Sequence, residues 1–194
     1  MALSDLPPAE RHRQIAAGFA DRVRGTKQWD VPSPVAGWTA RDVVRHLVKW
    51  LPAFLAAGSD VKLPAGPAVD DDPVAAWQHH SAGVQAVLDD PRAGQRLLVN
   101  RHIGEVPLDQ AIDRFYTSDV FMHTWDLARA TGQDDRLDPG QCAVLLAGME
   151  PIDDVLRASG QYGPRVPTPD DAGPQTRMIG FIGRDPFWTP GVSG

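Results

Sequence analysis

The chain has 194 residues, of which 42% are hydrophobic and 23% charged, a composition typical of a folded protein with its own core. Its net charge of -6 and the absence of any Lys or Arg run argue against a nucleic-acid partner. The one cysteine, Cys142, excludes a disulfide framework and a cysteine-based zinc site. No apolar run approaches the roughly 20 residues of a membrane helix, and the N-terminus lacks the apolar core of a signal peptide. We therefore expect a cytoplasmic protein.

The first two predicted helices are identified by their ends. The first covers about residues 8–24, and Gly25 is a natural stop. The second covers about residues 40–57. Its start is marked by Thr39 as the N-cap and by Asp42 three residues later, a capping box with Asp in place of Glu.

Three further helices, an extended segment and a tail follow. The Asp-Pro pairs at 72–73 and 138–139 are typical helix starts, with a capping carboxylate followed by Pro at the first helical position. The predicted elements are helices over 73–88, 108–131 and 138–160, an extended segment over 95–103, and a Pro- and Gly-rich tail over 161–194. We expect the tail to pack as a coil that buries Phe181, Phe187 and Trp188. The pattern predicts an all-α fold in a single domain, 1–194, containing a four-helix bundle.

A carboxylate and an imidazole stand on the apolar side of the 108–131 helix. Asp119 and His123 are four residues apart, so a helix places them on one face, one turn from each other. Ile112, Met122 and Leu127 recur at helical spacing beside them. Buried charges need partners, and a metal ion with His46 of the second helix as third ligand is one solution. The alternative is that Asp119 and His123 pair with each other, or with arginines, in the core.

The other histidines are weaker candidates for metal ligands. His12 is expected on the exposed side of the first helix, and His102 lies in the extended segment. His79 and His80 are adjacent, so on a helix they point about 100° apart and cannot share a face.

Asp126, three residues after His123, is a candidate for binding the metal or for supporting a ligand. The alternative is that Asp126 caps a helix or forms an ion pair with Arg129.

Three stretches together carry a resemblance to a known family. They are Trp38-Thr-Ala-Arg-Asp-Val-Val-Arg-His46-Leu, Asp119-Val-Phe-Met-His123-Thr-Trp-Asp-Leu-Ala-Arg-Ala-Thr-Gly132, and the closing segment from Val166 through Gly183-Arg-Asp-Pro-Phe-Trp188. In this order and spacing they resemble the actinobacterial metal-binding proteins of the DinB-like superfamily, which are similar to the N-terminal domain of mycothiol-dependent maleylpyruvate isomerase. The resemblance covers nearly the whole chain.

This resemblance implies a DinB-like four-helix bundle with a divalent metal, zinc or nickel, at one end. The family's ligand on the second helix matches His46, and its i, i+4 pair on a later helix matches Asp119 and His123. The superfamily often has His, and the isomerase Glu, where this chain has Asp119. Because Asp is one methylene shorter than Glu, metal affinity and metal choice are expected to differ.

The implied reaction uses the metal to bind a low-molecular-weight thiol, such as mycothiol, which attacks a small electrophile. The isomerase has a further C-terminal domain, whereas this sequence continues only with a short tail, so we expect a thiol-dependent transferase or isomerase other than the maleylpyruvate enzyme. Asp126 and Tyr116 are expected to support the ligands or contact substrate, and Trp38 and Trp125 to wall the pocket. The rival hypothesis is a non-catalytic metal-binding or stress-associated module. A monomer or homodimer is expected.

Overall fold

The computed structural model describes residues 2–101 and 103–191, and the predicted mainly helical fold is confirmed. The helices are α1 (Pro8–Gly25), α2 (Ala40–Gly58), α3 (Pro73–Leu88), α4 (Leu108–Ala111), α5 (Ser118–Thr131), α6 (Pro139–Met149), α7 (Asp153–Ala158) and α8 (Pro174–Phe181). Two strands, β1 (Leu97–Asn100) and β2 (Gly104–Pro107), and short 3-10 turns at Leu3–Asp5, Ala93–Gln95 and Glu150–Ile152 complete the order. Among the described residues, no helix combines the length and apolarity needed to cross a bilayer.

The first three helices begin and end close to where the sequence predicts. At the start of α2, the backbone N–H of Thr39 donates to Asp42 Oδ2 at 2.8 Å, and the Asp42 N–H donates to Thr39 Oγ1 at 3.3 Å. This is the predicted capping box. At the start of α3, Asp72 Oδ1 accepts from the backbone N–H of Ala75 at 2.9 Å. These local bonds satisfy amides that a helix end otherwise leaves open.

The predicted 108–131 helix contains a π-helical segment. It runs as α4, a π-helical stretch over Ile112–Thr117, and then α5, which ends at Gly132 with a left-handed φ of 67°. In the π segment the Ser118 N–H bonds to Asp113 O, five residues back. A π turn shifts the register of every later side chain on the helix surface. The segment therefore changes which residues lie beside Asp119, which immediately follows Ser118.

The extended segment is one strand of a hairpin. β1 lies within the predicted 95–103 stretch, and β2, which was not predicted, pairs with it antiparallel from Leu97 opposite Pro107 to Asn100 opposite Gly104. His102 falls outside the described residues. The hairpin leads directly into α4 and so sets the start of the long helix.

The C-terminal part has more regular structure than predicted. The predicted 138–160 helix is α6 and α7 separated by a 3-10 turn, and the tail contains α8. α8 packs on α6, burying Met178, Ile179, Phe181 and Ile182. The prediction that Phe187 is buried is wrong, because its side chain is 64% exposed. Trp188 is half-buried. Phe181 alone of these three aromatics enters the core, because it lies in α8 and the other two follow it.

Four long helices meet around one continuous apolar core. α1 packs against α3 and α5, and α2 packs against α5 and α3. The predicted contact between the helix that carries His46 and the helix that carries Asp119 and His123 is therefore present. Val120 to Ala128 are all buried, so α5 has no solvent-facing side over this stretch. A helix buried all round places its polar residues in the interior, where each needs a partner.

Two histidines expected to be solvated or structural lie in this core. The placement of His12 on an exposed face is wrong: it is fully buried and its Nδ1 lies 3.2 Å from the hydroxyl of Thr117. His80 is 6% exposed and its Nε2 lies 2.9 Å from the hydroxyl of Tyr116. Burial lowers the pKa of each from 6.5 to about 4. Both imidazoles are thus neutral parts of the helix packing.

We expect acid to destabilise the protein through these two histidines. Between pH 6.5 and about 4 the unfolded chain takes up protons on His12 and His80 that the folded chain does not. The free energy of unfolding therefore falls as pH drops through this window, by about 1.4 kcal/mol per pH unit for each histidine. Urea unfolding of the metal-free protein across this range measures the slope. A double variant, His12→Asn with His80→Gln, should flatten it, and equal slopes in both proteins would contradict the assignment.

Candidate metal centre

Three side chains from two helices converge where α2 crosses α5. One potential ligand atom from each of His46, Asp119 and His123 lies within 4.8 Å of the other two. The Nε2 atom of His46 is 2.9 Å from Asp119 Oδ2, and the Nε2 atom of His123 is 3.4 Å from Asp119 Oδ1. The i, i+4 spacing on α5 aligns the pair, and α2 brings His46 from the opposite side. The structure thus brings together the three residues that the sequence singled out.

The group opens to solvent on one side. The side chains are 6% exposed for His123, 20% for Asp119 and 31% for His46. Among the described His, Cys, Asp and Glu side chains, this group has three members and no fourth. Closed structural sites hold zinc with four protein ligands, whereas catalytic sites use three and leave a position for water or substrate. With three potential ligands and one exposed side, this group resembles the catalytic type of site.

Two tryptophans frame the group. The indole N–H of Trp50 donates to Asp119 Oδ2 at 2.9 Å. The ring of Trp38 stacks on His123 with centroids 5.8 Å apart and lies 5.1 Å from the ring of His46. The expected role of Trp38 as a wall agrees with this position, whereas Trp125 is buried in the core. Trp50 was not predicted, although its place four residues after His46 on one helix face was a usable signal.

Asp126 holds His123 from the side away from Asp119. Its Oδ2 atom is 2.8 Å from His123 Nδ1, and Arg184 Nε donates to its Oδ1 at 3.2 Å. A carboxylate can only accept, so Nδ1 of His123 carries the proton and Nε2 is the atom that faces Asp119. The alternative pairing of Asp126 with Arg129 is absent, since Arg129 pairs with Asp135. Arg184 lies in the closing stretch that carries the resemblance, but no spacing linked it to Asp126, 58 residues earlier.

The charges of the group stabilise one another. Burial by itself would raise the pKa of Asp119, but His123, His46 and the indole N–H of Trp50 hold it below the ordinary value. Burial would likewise lower the pKa of His123, yet Asp119 and Asp126 raise it. Arg184 and His123 keep the pKa of Asp126 low despite complete burial. Two carboxylates are therefore ionised at neutral pH in an otherwise apolar region, an environment that favours a cation.

The negative charge of Asp119 acts on both tyrosines of the chain, but Tyr162 is partly exposed whereas Tyr116 is buried. Tyr116 has its hydroxyl bonded to His80, and its ring lies 5.6 Å from that of Trp50. Among the described residues, the hydroxyl of Tyr162 is not tied to a histidine as that of Tyr116 is. Burial, then the negative charge of Asp119, raise the pKa of Tyr162 to about 12. Its hydroxyl stays protonated and can donate.

A cleft of about 300 Å³ borders the group. It is lined by Trp38, Asp42, Arg45, His46, Lys49 and Trp50. Arg45 is neutralised by ion pairs with Asp42 and Asp70, whereas Lys49 is exposed and makes no ion pair with the described residues. Because Trp38, His46 and Trp50 belong to both features, a small molecule in the cleft would lie against the open side of the ligand group.

Residues 12–128 of the sequence match the family model of the mycothiol maleylpyruvate isomerase N-terminal domain. The matched region contains all three converging residues. The chain belongs to this family. The match to the mycothiol maleylpyruvate isomerase N-terminal domain does not extend to Tyr162 or Arg184, which come from the C-terminal segment.

Two relatives align with this chain well beyond residues 12–128. Two uncharacterized proteins of Mycobacterium tuberculosis, from strains CDC 1551 / Oshkosh and ATCC 25618 / H37Rv, are each 30% identical over 190 residues. The alignment covers 92% of this chain and 98% of each relative. No solved structure shows a significant match.

Proposed function

We propose that the protein is a divalent-metal-dependent enzyme that transfers or isomerises a small electrophile with the help of a low-molecular-weight thiol such as mycothiol. The observation that carries this proposal is the three-residue group of His46, Asp119 and His123, open on one side to a cleft. The choice of mycothiol as the thiol rests on membership of the mycothiol maleylpyruvate isomerase N-terminal domain family. The packing of α1, α2, α3 and α5 supports a bundle of the DinB-like type as the scaffold.

The residues present fit a zinc or nickel ion. Two imidazole nitrogens and a carboxylate are ligands that both metals accept. Asp126 fixes the ring of His123 so that Nε2 faces the shared point, an arrangement common among metal-binding histidines. A divalent ion, when bound, supplies positive charge that lowers the pKa of a thiol beside it, so that thiolate is present at neutral pH.

The remaining residues of the site position the substrates. The indole faces of Trp38 and Trp50 give the cleft apolar walls against which an electrophile can lie. Trp50 also holds the carboxylate of Asp119 in place through its N–H. As the thiol sulfur forms its bond to an electrophilic carbon, negative charge develops on the electrophile. The hydroxyl of Tyr162 is the protein donor proposed to stabilise that charge.

We expect Tyr162→Phe to lower the rate of thiol transfer by about 10–100-fold while leaving metal content unchanged, since a positioned proton donor commonly contributes at least this much. Tyr116→Phe is the matched control. It removes a buried hydroxyl bonded to His80, so it should lower stability and leave the rate of the folded protein intact. If Tyr162→Phe kept the full rate, or Tyr116→Phe lost it, the two roles would be misassigned.

The proposal as a whole is tested by metal analysis of the purified protein, followed by assays with mycothiol and a panel of small electrophiles. We expect about one zinc or nickel per chain, a thiolate absorbance at neutral pH when thiol is added, and thiol consumption that a chelator stops. Bound metal with no thiolate and no thiol consumption would reject the enzyme and favour the non-catalytic binding module. No bound metal at all would reject both.

A further inference from the structure

We propose that Arg184, in the C-terminal segment, is a positioning residue that sets the orientation of His123 by holding Asp126. This inference rests on the proposed metal function and adds to it a residue outside the 12–128 region that the family model matches. It makes the tail part of the site, because the ligand on α5 is aligned only when the tail is in place.

The contacts form an unbroken line from the tail to the ligand group. The guanidinium of Arg184 approaches both oxygens of Asp126, with Nε 3.2 Å from Oδ1 and Nη2 3.5 Å from Oδ2. Asp126 Oδ2 in turn accepts from His123 Nδ1 at 2.8 Å, and His123 Nε2 faces Asp119 Oδ1 at 3.4 Å. Two parallel contacts from a planar guanidinium fix the plane of a carboxylate as one contact cannot.

Because Asp126 is buried, its carboxylate needs Arg184 as a partner. The side chain of Asp126 is 0% exposed and that of Arg184 is 15% exposed. A carboxylate in such a place is costly unless it is paired. Without Arg184, Asp126 has His123 as its one remaining polar side-chain partner among the described contacts, and nothing holds its second oxygen. The carboxylate is then free to turn, and the ring of His123 loses its fixed direction.

The fold delivers Arg184 to Asp126 through a close backbone contact. α8 ends at Phe181, and the backbone N–H of Arg184 bonds back to Ile179 O at 3.1 Å. Gly183 adopts a left-handed φ of 84°, and a Cβ there would come within 2.8 Å of Gly163 Cα. Glycine at this position therefore allows the chain to turn against Gly163 and direct Arg184 inward.

The test uses the full chain with Arg184→Gln, Arg184→Lys and the control Arg177→Gln, an exposed arginine on α8. Zinc affinity is measured by chelator competition. The side-chain nitrogen shifts of His123 in the metal-free protein, at a pH where the ring is neutral, show which nitrogen carries the proton. We expect Arg184→Gln to weaken zinc binding about 10-fold and to mix the two tautomers. Lysine offers one contact point, so the zinc affinity of Arg184→Lys should lie between those of the wild type and Arg184→Gln. Arg177→Gln should bind zinc as the wild type does.

A double-mutant cycle separates positioning from general damage. If Arg184 acts through Asp126, adding Arg184→Gln to Asp126→Asn should change zinc affinity by less than about 2-fold. An equal loss in both backgrounds, or wild-type affinity and a single tautomer in Arg184→Gln, would overturn the inference. The tautomer measurement needs no metal and decides the role of Arg184 even if the wild type binds none, a result that would instead reject the proposed function.

Discussion

Replacing His123 with alanine is expected to abolish binding of zinc or nickel. The variant leaves His46 and Asp119 as protein ligands, and two ligands seldom hold a divalent ion tightly in water. It also removes the imidazole that donates to Asp126 Oδ2, so Asp126 no longer connects Arg184 to the ligand group. Metal content after dialysis and chelator competition measure the loss, which should exceed about 100-fold in affinity.

The controls for this prediction lie within the same chain. His79→Ala removes an exposed histidine on α3 and should keep full metal content. Asp119→Ala should lose nearly as much metal as His123→Ala. Asp119→Glu should retain the metal, since a longer carboxylate still reaches the gap between the two imidazoles. The resemblance also matches a Glu of the isomerase to the position of Asp119. Full occupancy in His123→Ala would show that the metal, if any, lies elsewhere.

Replacing Phe181 with alanine is expected to lower the free energy of unfolding by about 3–5 kcal/mol, as large-to-small changes of a buried aromatic do. The Phe181 ring is 4% exposed, and the guanidinium groups of Arg157 and Arg165 lie over it at 4.9 and 4.4 Å from its centroid. Both the apolar contact and these cation–π contacts would be lost. Thermal or urea unfolding measures the effect, and for a chain of this length the midpoint should fall by about 10 °C.

Phe187→Ala is the matched comparison, because the two residues have the same side chain and are six positions apart. Phe187 is 64% exposed, and its replacement should change the free energy of unfolding by no more than about 0.5 kcal/mol. Deleting residues 161–194 removes α8 and should lower stability at least as much as Phe181→Ala. Equal effects of the two phenylalanine variants, or an unchanged melting temperature after deletion, would contradict the docking of the tail on α6.

Several helices could be predicted because their signals are local. The capping box of Thr39 and Asp42 and the Asp-Pro starts at 72–73 and 138–139 act within one turn, so the residues that cause each helix end are adjacent in the sequence. The i, i+4 spacing of Asp119 and His123 is local in the same sense. His46 was harder, since its distance from Asp119 depends on how α2 packs on α5, and resemblance to a family was needed to select it.

Other features depend on contacts between distant residues, and sequence reasoning missed them. The side of α1 that carries His12 looked exposed because one helix alone shows only its own apolar stripe, whereas α3 and the π segment cover that side in the fold. The π segment at Ile112–Thr117 is a departure from regular helix that periodicity does not reveal. Tyr116 was chosen for its place in the sequence near Asp119, but packing turned its hydroxyl to His80.

The sequence by itself therefore determined that the protein is mainly helical, where five of its helices begin, and which two residues on α5 are the centre of a candidate site. Local hydrogen bonds and helical spacing carry that information. Only the tertiary structure decided that the tail forms α8, that Trp50 bonds to Asp119 and Asp126 to His123, and that Arg184 of the tail contacts Asp126. Those positions follow from burial against other elements, where an ionised or hydrogen-bonding group must find its partner across a long stretch of chain.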